Sequence, residues 1–148
     1  MLTVIGHDQS AAVIEREVAA ILAESTLSHT AARFLIEMGH MDAAETYQLD
    51  RAEQLNGDFY GGLLSLAEAM DSADRPLCTS VIYRTLLDSI LRRAWTKTYP
   101  HGVRYLKKLD KFAVSITNWR NIANHADYME HLEQKHGRKR SFWSRYKK

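Results

Sequence analysis

The stretch Arg120-Asn121-Ile122-Ala123-Asn124-His125 comes nearest to an active site in residue type and spacing. An arginine forks onto phosphate oxygens and a histidine that titrates near neutrality can move a proton, so Arg120 and His125 together would suit phosphodiester cleavage. The competing reading is architectural: Asn124 caps the next helix and His125 sits in its first turn. Other chemistry is thinly represented. His125, His131 and His136 are spaced by six and five residues, which does not stack them on one helical face, and neither Cys-x-x-Cys nor His-Glu-x-x-His occurs. No metal site is therefore expected. Cys78, the single cysteine, has no histidine beside it in sequence and reads as a small buried hydrophobe at the start of a helix. Neither a glycine-rich phosphate loop nor Gly-x-Ser-x-Gly is present, so no cofactor is expected and the chain reads as non-enzymatic.

Cations are more informative. Arg104, Lys107, Lys108 and Lys111 recur at i, i+3, i+4 and i+7, opposite Leu106, Leu109 and Ala113 on one helix. Arg92, Arg93 and Lys97 precede them. The C-terminal residues add Arg138, Lys139, Arg140 and Arg145 with Lys147 and Lys148, interleaved with Phe142, Trp143 and Tyr146. Lysine and arginine on phosphates release counterions and aromatics stack on bases, so this is also the footprint of a nucleic-acid binder, with Trp143 among its candidate binding residues. The competing reading of the tail has Phe142 and Trp143 docked back on the core while the charges stay wet. An acidic protein surface would serve the same cations.

The formal net charge of +2 conceals the asymmetry behind that pattern: residues 1–84 carry a balance of −8 and residues 85–148 one of +10. Segregation on this scale speaks about partners rather than fold. It admits head-to-tail association of two copies, acidic half against basic half. At 148 residues and 45% hydrophobic, the chain suits one domain with a core of its own. A lone cysteine fits a reducing compartment, the apolar runs are far too short to cross a bilayer, and the N-terminus lacks the basic flank and apolar stretch of a secretory signal; the expected location is the cytoplasm, away from membranes.

These side chains are expected to ride on helices, because glycine is scarce, proline occurs only at 76 and 100, and no segment keeps a strand alternation. Seven helices are expected. The first covers 11–24, with Ser10 as cap and Ile14, Val18, Ile21 and Leu22 as its stripe. The second follows Ser28, buries Ala31, Phe34, Leu35 and Met38, and stops at Gly39. Asp42 caps the third, with Ala43, Ala44, Tyr47, Ala52 and Leu55 inward, and Asp58 caps the fourth, with Phe59, Leu63, Leu66, Ala67 and Met70 inward. Pro76 opens the fifth, which runs to about Lys97 on a stripe of Ile82, Leu86, Leu87, Ile90 and Ala94. Pro100 opens the sixth, carrying Leu106, Leu109, Ala113 and Ile116. The seventh covers 127–135 with Tyr128 and Leu132 inward, and residues 136–148 form a basic aromatic tail. The short links imply antiparallel hairpins in one all-α domain over 1–148.

Two segments look alike: Ala32 to Gly39 followed by Ala43-Ala44-Glu45-Thr46-Tyr47, and Leu64 to Met70 followed by Val81-Ile82-Tyr83-Arg84. Their tyrosines lie 36 residues apart, near the ~34-residue period of tetratricopeptide hairpins. With Arg75-Pro76, Tyr83 to Leu91, Tyr105 to Leu109 and His136 to Trp143, these residues make His29–Trp143 similar to an uncharacterised bacterial family of helical, tetratricopeptide-like proteins. They are also similar to C-terminal regions of some proteins that carry SWIM zinc fingers. That resemblance implies a short helical solenoid or bundle and nothing catalytic. Separately, Arg120 and His125 resemble the Arg-x4-6-His signature of HEPN ribonucleases, in which two copies hold the scissile phosphate between them. The leading expectation is a non-catalytic adaptor that engages a protein partner through its basic C-terminal face. A nucleic-acid binder and a HEPN-like ribonuclease are the alternatives.

Overall fold

The computed structural model describes residues 2–147, with side chains from residue 12 onward. Among the described residues there are eight α-helices and no strand. The chain divides into two units, residues 1–54 and 55–148.

The first unit holds α1 (Leu2–Ala23), α2 (His29–Glu37), α3 (Met41–Asp50) and a 3-10 turn at Ala52–Gln54. α1 reaches back to Leu2, so Ser10 lies within the helix and is not its cap. Ile14, Val18 and Ile21 are half-buried, but Leu22 is exposed. α2 begins where Ser28 Oγ accepts from the Ala31 N–H at 3.2 Å. It ends in a Schellman turn: Gly39 takes a left-handed φ of +78°, its N–H bonds to Ile36 O at 3.0 Å, and the His40 N–H bonds to Leu35 O at 2.9 Å. Ala32 and Leu35 of α2 and Ala44 and Tyr47 of α3 are buried, whereas Met38 is exposed. Asp42 lies in the first turn of α3 and not at its cap, which is His40. A carboxylate there still faces the positive end of the helix dipole.

Backbone groups of the link between α1 and α2 find partners on one face of α3 and its 3-10 extension. Tyr47 Oη accepts from the Ser28 N–H at 2.8 Å and donates to Thr26 O at 3.2 Å. The Gln54 amide bonds to Ser25 O and to the Leu27 N–H, both at 2.7 Å. Arg51 is buried, lies 4.2 Å from the centre of the Tyr47 ring, and donates to Leu22 O and Glu24 O at 3.0 Å. A buried charge is costly unless its donors are met. Here they meet carbonyls at the C-terminal end of α1, where the helix dipole is negative.

The second unit holds α4 (Tyr60–Ser72), α5 (Pro76–Arg93), a 3-10 turn at Thr96–Thr98, α6 (Tyr99–Ser115), α7 (His125–His136) and α8 (Arg140–Tyr146). The connection from α4 to α5 repeats the one from α2 to α3. Asp74 takes the left-handed place with φ 59°, its N–H bonds to Asp71 O at 3.0 Å, and the Arg75 N–H bonds to Met70 O at 3.0 Å. Each link is three residues long, so the resemblance between the two segments extends to the geometry of the turn. α5 is buried on nearly every side and packs between α4 and α6. It ends at Arg93, four residues before the expected position, because Ala94 adopts a left-handed conformation with φ 54°. Leu63, Leu66, Ala67 and Met70 face the core of this unit, while Phe59 is exposed.

The expected tail is the helix α8, packed against α6. Phe142 is fully buried, edge-on to Tyr99 with ring centres 5.7 Å apart, and a Cβ on Gly102 would sit 3.1 Å from its Cε1. Between α6 and α7 the chain turns through Trp119 and Ala123, and Arg84 of α5 fastens that turn. Its Nη1 donates to Ala123 O at 2.7 Å, and its guanidinium lies 4.4 Å from the Tyr128 ring centre and 5.1 Å from that of Trp119. Tyr128 in turn donates to Asp88 Oδ1 at 2.9 Å. Burial pushes the Asp88 carboxyl up and the Arg84 guanidinium down from their ordinary values.

Candidate functional site

α6 presents two neighbouring surfaces. Its hydrophobic residues Val103, Leu106 and Leu109 are buried at helical spacing, which turns Arg104, Lys107 and Lys111 outward. Among the described residues no carboxylate forms an ion pair with any of these three. Lys108, on the shoulder of the row, is half-buried with Nζ 5.7 Å from the centre of the Tyr83 ring.

Beside the row lies a cavity of about 300 Å3, between the start of α4, the end of α5 and the start of α6. Leu64, Leu86 and Ile90 give it an apolar lining, and Tyr60, Trp95 and Tyr105 an aromatic one. Gly57, Ser89, Arg93, Thr98 and His101 complete it. Tyr60 is 68% exposed and Trp95 53%, so the aromatic side chains mark its mouth. Arg104 joins the two surfaces, because its Nη2 meets Nδ1 of the cavity residue His101 at 2.6 Å.

Asp58 holds the opposite side. It is not the N-cap of α4, which is Phe59. Its carboxylate accepts from Ser89 Oγ at 3.1 Å and pairs with Arg93 at 2.6 Å and Arg92 at 3.4 Å. The Ser89 hydroxyl and Arg93 hold its carboxyl below the ordinary range. Thus Arg92 and Arg93, read from the sequence as ligand-facing cations, already have an anionic partner. Lys97 is exposed in the 3-10 turn.

The remaining cations sit on and around α8. Arg138, Arg140 and Arg145 are exposed and Lys139 is half-buried. Trp143 is buried edge-on against Phe142 at 5.2 Å, and its indole N–H donates to His136 O at 3.0 Å. Most of its ring is thus packed against the core, and its remaining edge borders a shallow groove with Glu133, Arg140 and Lys147.

Arg120 and His125 separate into different local structures. Arg120 has φ 52° in a turn where its N–H bonds to Asn118 Oδ1 at 2.9 Å. His125 is the first residue of α7, behind an Asn124 cap whose side chain accepts from the Asp127 N–H at 2.9 Å. His125 Nε2 is 2.6 Å from Asp110 Oδ1, and Asp110 Oδ2 accepts from Tyr146 Oη at 2.5 Å. This relay joins α6, α7 and α8. Burial and the bond to Asp110 push the Tyr146 phenol up to about 12. Among the described residues no group of three or more His, Cys, Asp or Glu side chains could hold a metal ion, and no helix is long and apolar enough to cross a membrane. Cys78 is buried.

The cavity was missed in the sequence because it belongs to no single segment. Neither aromatic residue signalled it: Tyr60 precedes Leu63 and Ala67 at helical spacing, and Trp95 falls inside the expected fifth helix, which ends before it in the structure. Residues 10–145 match the model of a family of unknown function (DUF6880). No curated protein and no solved structure matches the chain.

Proposed function

The chain belongs to DUF6880, a family of unknown function, and from its own geometry we propose that it is a non-catalytic binding module whose basic α6 face engages an acidic protein surface. One observation carries this reading: Arg104, Lys107 and Lys111 stand in an exposed row without carboxylate partners among the described residues. Unpaired like charges on one helix face repel one another, and an anionic partner relieves that repulsion while steering its own approach. A protein is favoured over nucleic acid because Phe142 and Trp143 are turned into the core. The repeated hairpin turn supports a tetratricopeptide-like arrangement, a scaffold suited to presenting such a face, and the cytoplasm is the setting we propose.

Capture from a native lysate, with and without nuclease, tests the reading against a variant carrying Arg104→Glu, Lys107→Glu and Lys111→Glu. The reversal should abolish capture and nuclease should leave it intact. The variant should melt close to the wild type, because exposed substitutions usually change stability by less than about 0.5 kcal/mol each. Loss of the captured material on nuclease treatment would transfer the face to nucleic acid; capture that survives the reversal would refute the proposal. A second copy of this chain is one candidate partner, since residues 1–84 carry a balance of −8. Self-association that disappears with the same reversal would identify it.

A further inference from the structure

We propose that the cavity between α4, α5 and α6 is an anchor site, which takes one large apolar side chain from an acidic peptide segment that continues along α6. The inference rests on the reading of α6 as a face for acidic protein and adds where the partner's apolar group goes.

The volume suits one anchor. At about 300 Å3 the cavity is at the bottom of the range of ligand pockets, about 300–1,000 Å3, which is room for one large side chain rather than an extended cofactor. The lining suits it too. Tyr60 and Trp95 are largely exposed at the mouth of an apolar recess, and aromatic side chains placed around a pocket are what concentrate binding energy at protein interfaces. The turn that carries Trp95 is strained, because Ala94 holds φ 54° without being glycine. Such a conformation crowds the Cβ against the backbone and collects at functional positions.

Charge then fixes the direction of the bound segment. On the α5 side Arg93 is already paired with Asp58 at 2.6 Å. On the α6 side Arg104 reaches His101 of the cavity at 2.6 Å, and beyond it Lys107 and Lys111 continue away along the helix. Arg104 to Lys111 spans about two turns, roughly 10 Å, which an extended chain covers in about three residues. The expected ligand is therefore an anchor followed by several carboxylates, in that order along the surface.

Two synthetic peptides test this with the full-length chain by amide NMR titration: one with a tryptophan, a glycine and four glutamates, the other with alanine in place of the tryptophan. The tryptophan peptide should shift the Trp95 indole N–H and the amides of Thr98 and His101, and should bind at least tenfold more tightly than the alanine peptide. Trp95→Ala and Tyr60→Ala, both at exposed positions, should bring its affinity down to that of the alanine peptide and leave the alanine peptide's own binding unchanged. If both peptides bind equally and shift only the row from Arg104 to Lys111, the anchor site is overturned and the basic-face reading stands. If neither peptide shifts α6, both are overturned. An oligouridylate of equal charge that shifts Trp95 more than either peptide would assign the cavity to bases and overturn the anchor site.

Discussion

Phe142→Ala should lower stability by about 3–5 kcal/mol, the usual cost of emptying a buried aromatic site, and so drop the melting temperature by more than about 10 °C in a unit of this size. The cost is high because α8 cannot hold itself together. A seven-residue helix is far below the ~12–15 residues needed for a helix to be even marginal alone, so its order depends on the ring that docks it. That ring meets Tyr99 edge-on and lies against Gly102, where a larger residue would fill its space. Trp143 and Tyr146 follow in the same chain of edge-on contacts. Phe142→Leu, which keeps part of the volume, should cost only about 1 kcal/mol. Differential scanning fluorimetry measures both; a Phe142→Ala melting temperature within 2 °C of wild type would mean that α8 is not docked.

His136 gives the second large effect, through pH. It closes α7, is buried, and its Nδ1 has no hydrogen-bond partner. Burial, and then the charges of Lys139, Lys135 and His131, bring its imidazole down from 6.5 to about 4. In the window between those values the unfolded chain binds a proton that the folded chain refuses. Stability from this residue is therefore whole above pH 6.5 and is lost as the pH falls through that window to about 4. The total is about 3 kcal/mol from the size of the shift. His136→Gln removes the titration, so the difference in unfolding free energy between wild type and variant, followed by urea denaturation from pH 7.5 to 4, should change by that amount in that direction. A difference that stays flat would mean the imidazole is protonated as easily in the fold as out of it. Because the His136 carbonyl also receives the Trp143 indole N–H, acid should loosen α8 first.

How much of this was legible in the sequence depends on the range over which each signal acts. The core of α4, Leu63, Leu66, Ala67 and Met70, could be read because four residues share one helical period and all four are buried. Pro76 at the start of α5 and Gly39 at the end of α2 were readable for a similar reason: backbone sterics fix what proline and a left-handed position require. Asp58 was misplaced because its carboxylate prefers Ser89 and Arg93, more than 30 residues away in the chain, to the local amides a cap would serve. α8 escaped because two buried residues in seven do not establish a period. Arg51 and Arg84 escaped because charged residues are seldom buried unless paired, and both find their partners among distant carbonyls and rings. The site was half visible. The row on α6 follows from spacing alone, whereas the cavity needs three helix ends brought together.

The most direct test of the central claim is fluorescence anisotropy of the labelled tryptophan–glutamate peptide, titrated with wild type and with the Arg104→Glu, Lys107→Glu, Lys111→Glu variant, and then competed with single-stranded RNA. The account predicts binding by the wild type that weakens as salt screens the charges, none by the variant, and no displacement by RNA at equal charge. Equal binding by the variant, or displacement of the peptide by RNA at equal charge, would contradict it.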